Sequence, residues 1–412
     1  MACHGIARVW VGVVLIVLAG CSPIQLGSRT IDFGGGGPRP PGTLTPANGS
    51  TTATMQPLQP TGGQQVFGHG PVQVALLLPL SGDPSLASVG QSMANGSRLA
   101  MSFIEANPNI AENTTITLYD TGGTVAGATS AVTTAAQRGA RLILGPLKGD
   151  EVTAAGAVAR SNGLPLIGFS NNASAAGPGV YLLSVLPETE MKRAMAYLKA
   201  QGRRGVAGAF PNTAYGQAQQ TAFRQQAIAA GFSPSAVYSF SDASEAKGIV
   251  DQAKPLIAKG LIDSFFLPDR LTAPSFANLL AQAGVKPDDV MIVGSADWQG
   301  DANITGTPAL AGAIYPGVDD TGLKSISLDY QARFGAPPHP LTTIAYTATI
   351  LANAKTLSLA NPPYNPTIMT SPTGFNGRDG VFRFNSDGRA DYALAIKRVA
   401  PGGSVQVEAA AL

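Results

Sequence analysis

Cysteine, histidine and charge are all scarce in this 412-residue chain, and each scarcity removes a class of function. There are two cysteines, Cys3 and Cys21, and three histidines, His4, His69 and His339. No His pair has metal-ligand spacing and no thiol cluster could replace one, so no metal is expected. Charged residues make up 13% of the chain and the net charge is +2, with no basic block, so nucleic acid is not an expected partner. The GxSxG elbow, the phosphate-cradling GxxxxGK(S/T) loop and GxGxxG are all missing, and no cofactor is expected.

One long apolar run stands at the start. A single cation, Arg8, precedes Val9–Leu18, which is too short for a stable membrane span but fits a secretory signal. The run ends in Leu18-Ala19-Gly20-Cys21, with small residues at a narrow peptidase site and a thiol that diacylglycerol can take as a thioether. This resembles the lipobox of bacterial lipoproteins, which implies cleavage before Cys21, a signal peptide over residues 1–20 and lipidation of Cys21. Removing Arg8 lowers the net charge from +2 to +1, and removing Cys3 leaves no cysteine pair for an intramolecular disulfide. Two acyl chains anchor stably where one is marginal. Ser22 follows Cys21 in place of the Asp that retains lipoproteins at the inner membrane. The expected location is therefore the outer membrane, facing the periplasm.

Residues 21–70 read as a lipidated, disordered tether. Gly34–Gly37, Pro38-Arg39-Pro40-Pro41-Gly42 and a Thr/Gly/Gln/Pro-rich stretch offer too little apolar surface to offset chain entropy. Its roughly 49 residues span about 35–45 Å as a coil and about 160–175 Å if pulled straight.

From Val72 the pattern alternates strand and helix. Val72–Leu80 is a near-continuous apolar run, as in a parallel strand buried on both faces. Pro84–Glu105 sets Leu86, Val89, Met93, Ala100 and Phe103 on one helical stripe. Further strands are expected at 116–120, 142–147 and 165–170, with helices at 125–138 and 150–161. After Val185-Leu186-Pro187 the alternation restarts with a helix over 188–201. Strands follow at 205–210, 236–240, 263–267 and 290–294, between helices at 215–231, 243–259 and 273–283. The fold class expected is α/β, with two doubly wound parallel-sheet lobes and a cleft between them. Lobe 1 is assigned residues 71–187 and 318–365, lobe 2 residues 188–317 and 366–400, and 401–412 a C-terminal tail.

These residues carry a family resemblance. Val74–Gly82, Ala94-Asn95-Gly96 with Leu99-Ala100, Leu118–Thr121, Gly139-Ala140, Leu144–Leu147 and Pro165-Leu166-Ile167 resemble the first lobe of type I periplasmic binding proteins. Pro211–Gly216 resembles the Asp-x-x-Tyr-Gly turn of the leucine/isoleucine/valine-binding branch, and Gly377–Phe384 with Asp387-Gly388 its C-terminal hairpin. The likeness runs from about Val72 to Val399. Gly145-Pro146-Leu147, Gly168–Asn172, Val180–Leu183 and a lipobox before a long tether are most similar to the outer-membrane penicillin-binding-protein activator lipoproteins. That resemblance implies a peptidoglycan synthase as partner. The wider one implies an amino acid as cleft ligand and an ABC importer as the alternative role.

An amino-acid site needs donors for a carboxylate and an acid facing the ammonium. The ligand-binding candidates are Ser81, Gly82, Lys148, Ser170, Asn171, Tyr215, Asp297 and Trp298. Each has a bland reading beside it. Ser81-Gly82 serve equally well as a strand-to-helix turn, Lys148 as a solvated loop cation, and Tyr215 as a core aromatic. Asp297 fits a cap and Trp298 hinge packing. Three positions depart from the family pattern: Leu147-Lys148-Gly149-Asp150 where small hydroxyl residues are usual, Asn212 for Asp, and Ala345-Tyr346-Thr347-Ala348 for Gly-Tyr-Asp-Ala. Ser244-Glu245-Ala246-Lys247 matches SxxK and Ser170-Asn171-Asn172 matches SxN, the serine-nucleophile motifs of penicillin-interacting enzymes. The companion Lys-Thr-Gly is missing and Ser244 opens a predicted helix, where capping accounts for it. No catalytic residue is assigned.

Overall fold

A strand buried on both faces must send alternate side chains into two separate cores, and the first central strand does so. The computed structural model describes residues 65–412 and, in a separate N-terminal unit, the short antiparallel pair β1 (Gln25–Leu26) and β2 (Arg29–Thr30). The signal, Cys21 and the rest of the tether lie outside the described residues.

Lobe 1 opens with β3 (Gln65–Phe67), β4 (Val72–Leu78), α1 (Pro84–Ala106), β5 (Thr114–Asp120) and α2 (Val125–Gln137). β6 (Leu142–Leu144), α3 (Gly149–Ser161), β7 (Leu166–Gly168) and β8 (Val180–Leu182) follow. The sheet order is β3-β5-β4-β6-β7-β8, parallel except for β3. Val74, Leu76 and Leu78 of β4 enter one apolar cluster, while Ala75 and Leu77 enter the other with Val132 of α2 and Val152 of α3. Each buried leucine contributes about 1.5–3 kcal/mol of burial free energy.

Lobe 2 repeats the scheme with α4 (Pro187–Ala200), β9 (Val206–Pro211), α5 (Ala214–Ala229), β10 (Ala236–Phe240) and α6 (Ala246–Ala258). It continues through β11 (Ser264–Phe266), α7 (Ala273–Gln282), β12 (Met291–Val293), α8 (Ala302–Gly306) and β13 (Ile314–Gly317). Neighbours Phe265 and Phe266 point into opposite clusters, again the mark of a two-faced sheet. The chain then returns to lobe 1 with α9 (Thr321–Phe334), α10 (Thr342–Asn353), α11 (Lys355–Ser358) and α12 (Pro366–Met369). α10 packs closely on α1, where a Cβ on Gly96 would stand 2.6 Å from the Thr342 carbonyl oxygen. Ser92 Oγ meets Thr342 Oγ1 at 2.9 Å across that contact.

The last segment corrects the domain assignment. β14 (Phe375–Gly377), β15 (Gly380–Phe384) and β16 (Ala390–Tyr392) form a separate antiparallel meander. Met369, Phe382, Phe384 and Tyr392 bury in the lobe 1 core, so residues 366–392 belong to lobe 1 and not to lobe 2. The supposed tail is also structured. β17 (Leu394–Ala400) pairs with β13, and β18 (Gly403–Ala411) pairs with β17, giving a lobe 2 order of β10-β9-β11-β12-β13-β17-β18. Buried Arg193 of α4 holds this edge: its Nε donates to Leu394 O at 2.7 Å and its Nη2 reaches Glu408 Oε1 at 2.7 Å. At the other end, residues 65–70 leave the expected tether, because β3 adds to the lobe 1 sheet. Three strands of chain cross between the lobes, at 183–187, 317–320 and 392–394.

Candidate functional site

Strand order decides where a crevice forms. From β4 the chain moves outward to β5, then returns past β4 to β6; in lobe 2 it moves from β9 to β10, then returns to β11. Loops diverge beyond the carboxyl ends of the strands at each reversal, and ligands of open α/β sheets sit there. Ser81, Gly82 and Lys148 lie at the lobe 1 reversal, and Tyr215 lies at that of lobe 2. Ser170 and Asn171 follow β7, and Asp297 and Trp298 follow β12.

The lobe 1 candidates are largely satisfied by their own lobe. Asp120 Oδ1 accepts from Leu80 N at 2.8 Å, Ser81 N at 3.3 Å and Gly122 N at 2.8 Å, and the Ser81 hydroxyl lies beside the same carboxylate. Burial alone would raise the Asp120 carboxyl, but these bonds outweigh it and hold it below the usual carboxylate range. Gly82 takes φ +89°, a left-handed turn that favours glycine. Ser81-Gly82 thus build the turn. Lys148 Nζ donates to Gly123 O at 3.2 Å and lies 3.4 Å from Asp150 Oδ2 and 3.9 Å from Glu151 Oε1, so acids of its own helix neutralise it. Glu151 is fully buried, and burial raises its carboxyl. Ser170 is buried, with Oγ accepting from Asn172 N at 3.1 Å. Asn172 and Ser170 crowd the start of α3, where a Cβ on Gly149 would meet them at 2.9 and 3.2 Å.

Lobe 2 presents acids. The Tyr215 hydroxyl faces the Asp297 carboxylate of its own lobe and the Asn171 side chain of lobe 1. Burial, then the nearby Glu190 and Asp297 charges, push the Tyr215 phenol well up. Glu190, on the first turn of α4, is 2% exposed and accepts from Ala296 N at 3.2 Å. Burial raises its carboxyl strongly and the Asp297 charge raises it further. Asp297 keeps an opening to solvent, yet the surrounding protein raises its carboxyl too, eased by Arg270 and the Tyr215 bond. Arg270 Nη1 is itself held by Asp301 Oδ2 at 2.9 Å.

Glu190, Asp120 and Arg270 were not among the sequence candidates. Glu190 reads as one of several acids in a helix first turn, a dipole-friendly position that hides its burial. Trp298 is the clear correction: it is 0% exposed and packs over Gly294 and against Tyr315 in the lobe 2 core, away from any ligand. Its neighbour in sequence, Asp297, faces the cleft instead. The SxxK residues also part company. Asp242, with Glu245, forms the capping box that starts the helix, and Lys247 Nζ is engaged by Asp251 Oδ2 at 2.7 Å. The cap is therefore Asp242 and not Ser244.

Chemically, the lobe 2 face suits an ammonium, while the lobe 1 face spends its donors on itself. Among the described residues no helix is long and apolar enough to cross a membrane.

Solved structures share this architecture at low sequence identity. A putative branched-chain amino acid ABC transporter protein from Rhodospirillum rubrum superposes with a TM-score of 0.71 at 18% identity, covering 82% of this chain and 99% of that one. The leucine binding protein LivK from Thermotoga maritima gives 0.58 at 17%, covering 82% and 98%. The C-domain of LpoA from Haemophilus influenzae, a regulator of PBP1A, gives 0.59 at 16%, covering 81% and 99%. No curated protein matches the sequence. The fold is thus that of the leucine-binding-protein-like type I binding proteins. Residues 71–404 match the family model described as Periplasmic binding protein, and with most of its length so matched the chain belongs to that family.

Proposed function

We propose that this chain is a periplasm-facing lipoprotein, anchored in the outer membrane by lipid on Cys21, whose non-catalytic domain activates or scaffolds a penicillin-binding-protein peptidoglycan synthase. The observation that carries this reading is the state of the cleft. Asn171 of lobe 1 stands beside the Tyr215 hydroxyl of lobe 2, and the lobe 1 polar groups are engaged within their own lobe: Ser81 N by Asp120, Lys148 by Gly123 O and Ser170 Oγ by Asn172 N. A cleft whose lobe 1 donors are already engaged favours a domain that works as a shaped surface. The regulator of PBP1A among its structural relatives supports the same role. An anchor in the outer membrane also places the chain nearer the wall than an inner-membrane permease.

A second reading is a substrate-binding lipoprotein of an amino-acid ABC importer. Asp297 and Glu190, set beside Tyr215, are what favour it, since they suit an ammonium group. Calorimetric titration with leucine, isoleucine and valine separates the two. The scaffold reading expects no saturable heat at micromolar ligand, and saturable micromolar binding would overturn it.

A further inference from the structure

The point where the chain enters lobe 1 gathers three donors that sequence spacing keeps apart. His69 sits between β3 and β4, Glu105 in the last turn of α1, and Glu112 just before β5. Their ligand atoms all lie within 4.8 Å of one another. His69 Nδ1 is 3.5 Å from Glu112 Oε1, and the His69 backbone N–H donates to that same oxygen.

The backbone around His69 is fixed. Gly70 N donates to Thr114 O at 3.2 Å, Thr115 Oγ1 to Gly70 O at 2.7 Å, and Val72 N to Asn113 O at 3.1 Å. On the other side Phe67 pairs with Ile116. Gly68 takes φ +80°, and a Cβ there would lie 2.9 Å from Glu112 Oε1. The imidazole is therefore delivered to the two acids by a clamped turn rather than a loose end.

Among the described residues no Lys or Arg lies within 4.0 Å of Glu105 or Glu112. Glu105 also stands at the carboxyl end of α1, whose last turn holds no basic residue, where the helix dipole disfavours a negative charge. Two carboxylates and one imidazole, all accessible, supply two negative charges and a nitrogen donor.

We propose that His69, Glu105 and Glu112 form a binding site for a divalent transition-metal ion of the zinc class, with water completing the coordination. A nitrogen donor with two carboxylates suits Zn²⁺ and its neighbours better than Ca²⁺ or Mg²⁺, which prefer all-oxygen shells. The ion fastens the domain's entry segment, residues 65–70, to α1 and to the start of β5.

Zinc calorimetry on the full chain in detergent tests this, with His69→Ala and Glu105→Gln beside it. Both substitutions are at exposed positions, and circular dichroism confirms that each variant folds. The wild-type chain should show one more zinc site than either variant, or the same site weakened at least about tenfold. Zinc should also slow proteolysis between residues 54 and 70 in the wild type alone. Equal stoichiometry and affinity in all three chains, or no zinc binding by the wild type, would overturn the assignment.

Discussion

The Asn171 side chain of lobe 1 stands beside the Tyr215 hydroxyl of lobe 2, and that hydroxyl also faces the Asp297 carboxylate. The lobes therefore approach one another at these polar groups. Replacing Tyr215 with Phe removes the hydroxyl and leaves the ring. A polar contact of this kind is worth about 0.5–1.5 kcal/mol, so Tyr215→Phe should lower unfolding stability by about 1 kcal/mol. It should also raise the radius of gyration seen by small-angle scattering as the lobes part. An unchanged radius would mean that the crossings alone hold the lobes together.

Asp379 offers a pH test with a defined sign. Burial, reinforced by the Asp319 charge and opposed by the Thr343 hydroxyl at 2.9 Å, raises its carboxyl from 3.8 to about 6. Below 3.8 both folded and unfolded chains hold the proton and nothing is lost. Between 3.8 and about 6 only the folded chain holds it, so stability falls as pH rises through this window and is level above it. Asp379→Asn keeps an acceptor for Thr343 and removes the charge. Urea unfolding at pH 4 to 8 should show the variant gaining on the wild type up to about pH 6, by about 1–3 kcal/mol, then running parallel.

Trp298 should behave as core. Trp298→Ala is expected to cost about 3–5 kcal/mol of stability. In a Trp10→Phe background its fluorescence should be blue-shifted and resist acrylamide quenching. Strong quenching would place the indole in the cleft after all.

The meander's place on lobe 1 rests on a close contact. Gly388 takes φ +85°, and a Cβ on it would lie 2.1 Å from Val180 O, while its carbonyl accepts from Leu182 N at 2.8 Å. Gly388→Ala should therefore destabilise the domain by about 1–3 kcal/mol in a denaturant melt. A neutral effect would detach the meander from β8.

Much of the fold was legible because both lobes repeat one period. The run at Val72–Leu78 announced a strand with two apolar faces, and the helices between strands fixed parallel pairing. The C-terminal fifth was less legible. Phe382, Phe384 and Tyr392 alternate as any amphipathic hairpin does, and nothing local says which lobe they cover. Likewise the short 403–411 segment has too little apolar character to reveal a strand that is mostly exposed at a sheet edge. At the site, residue type could not separate a donor that faces solvent from one already used. Ser81 gives its backbone N–H to Asp120 and Lys148 its charge to Asp150 and Glu151, pairings made only by the fold.

We propose that this chain stimulates a wall-building enzyme rather than delivering a solute. The rate of peptidoglycan synthesis by a bifunctional penicillin-binding protein from the same cell, reconstituted in liposomes with and without the full chain lipidated at Cys21, tests this directly. A saturable rise in polymerisation or cross-linking rate together with a complex of the two proteins is expected. A rate unchanged at saturating concentrations of the chain would overturn the proposal.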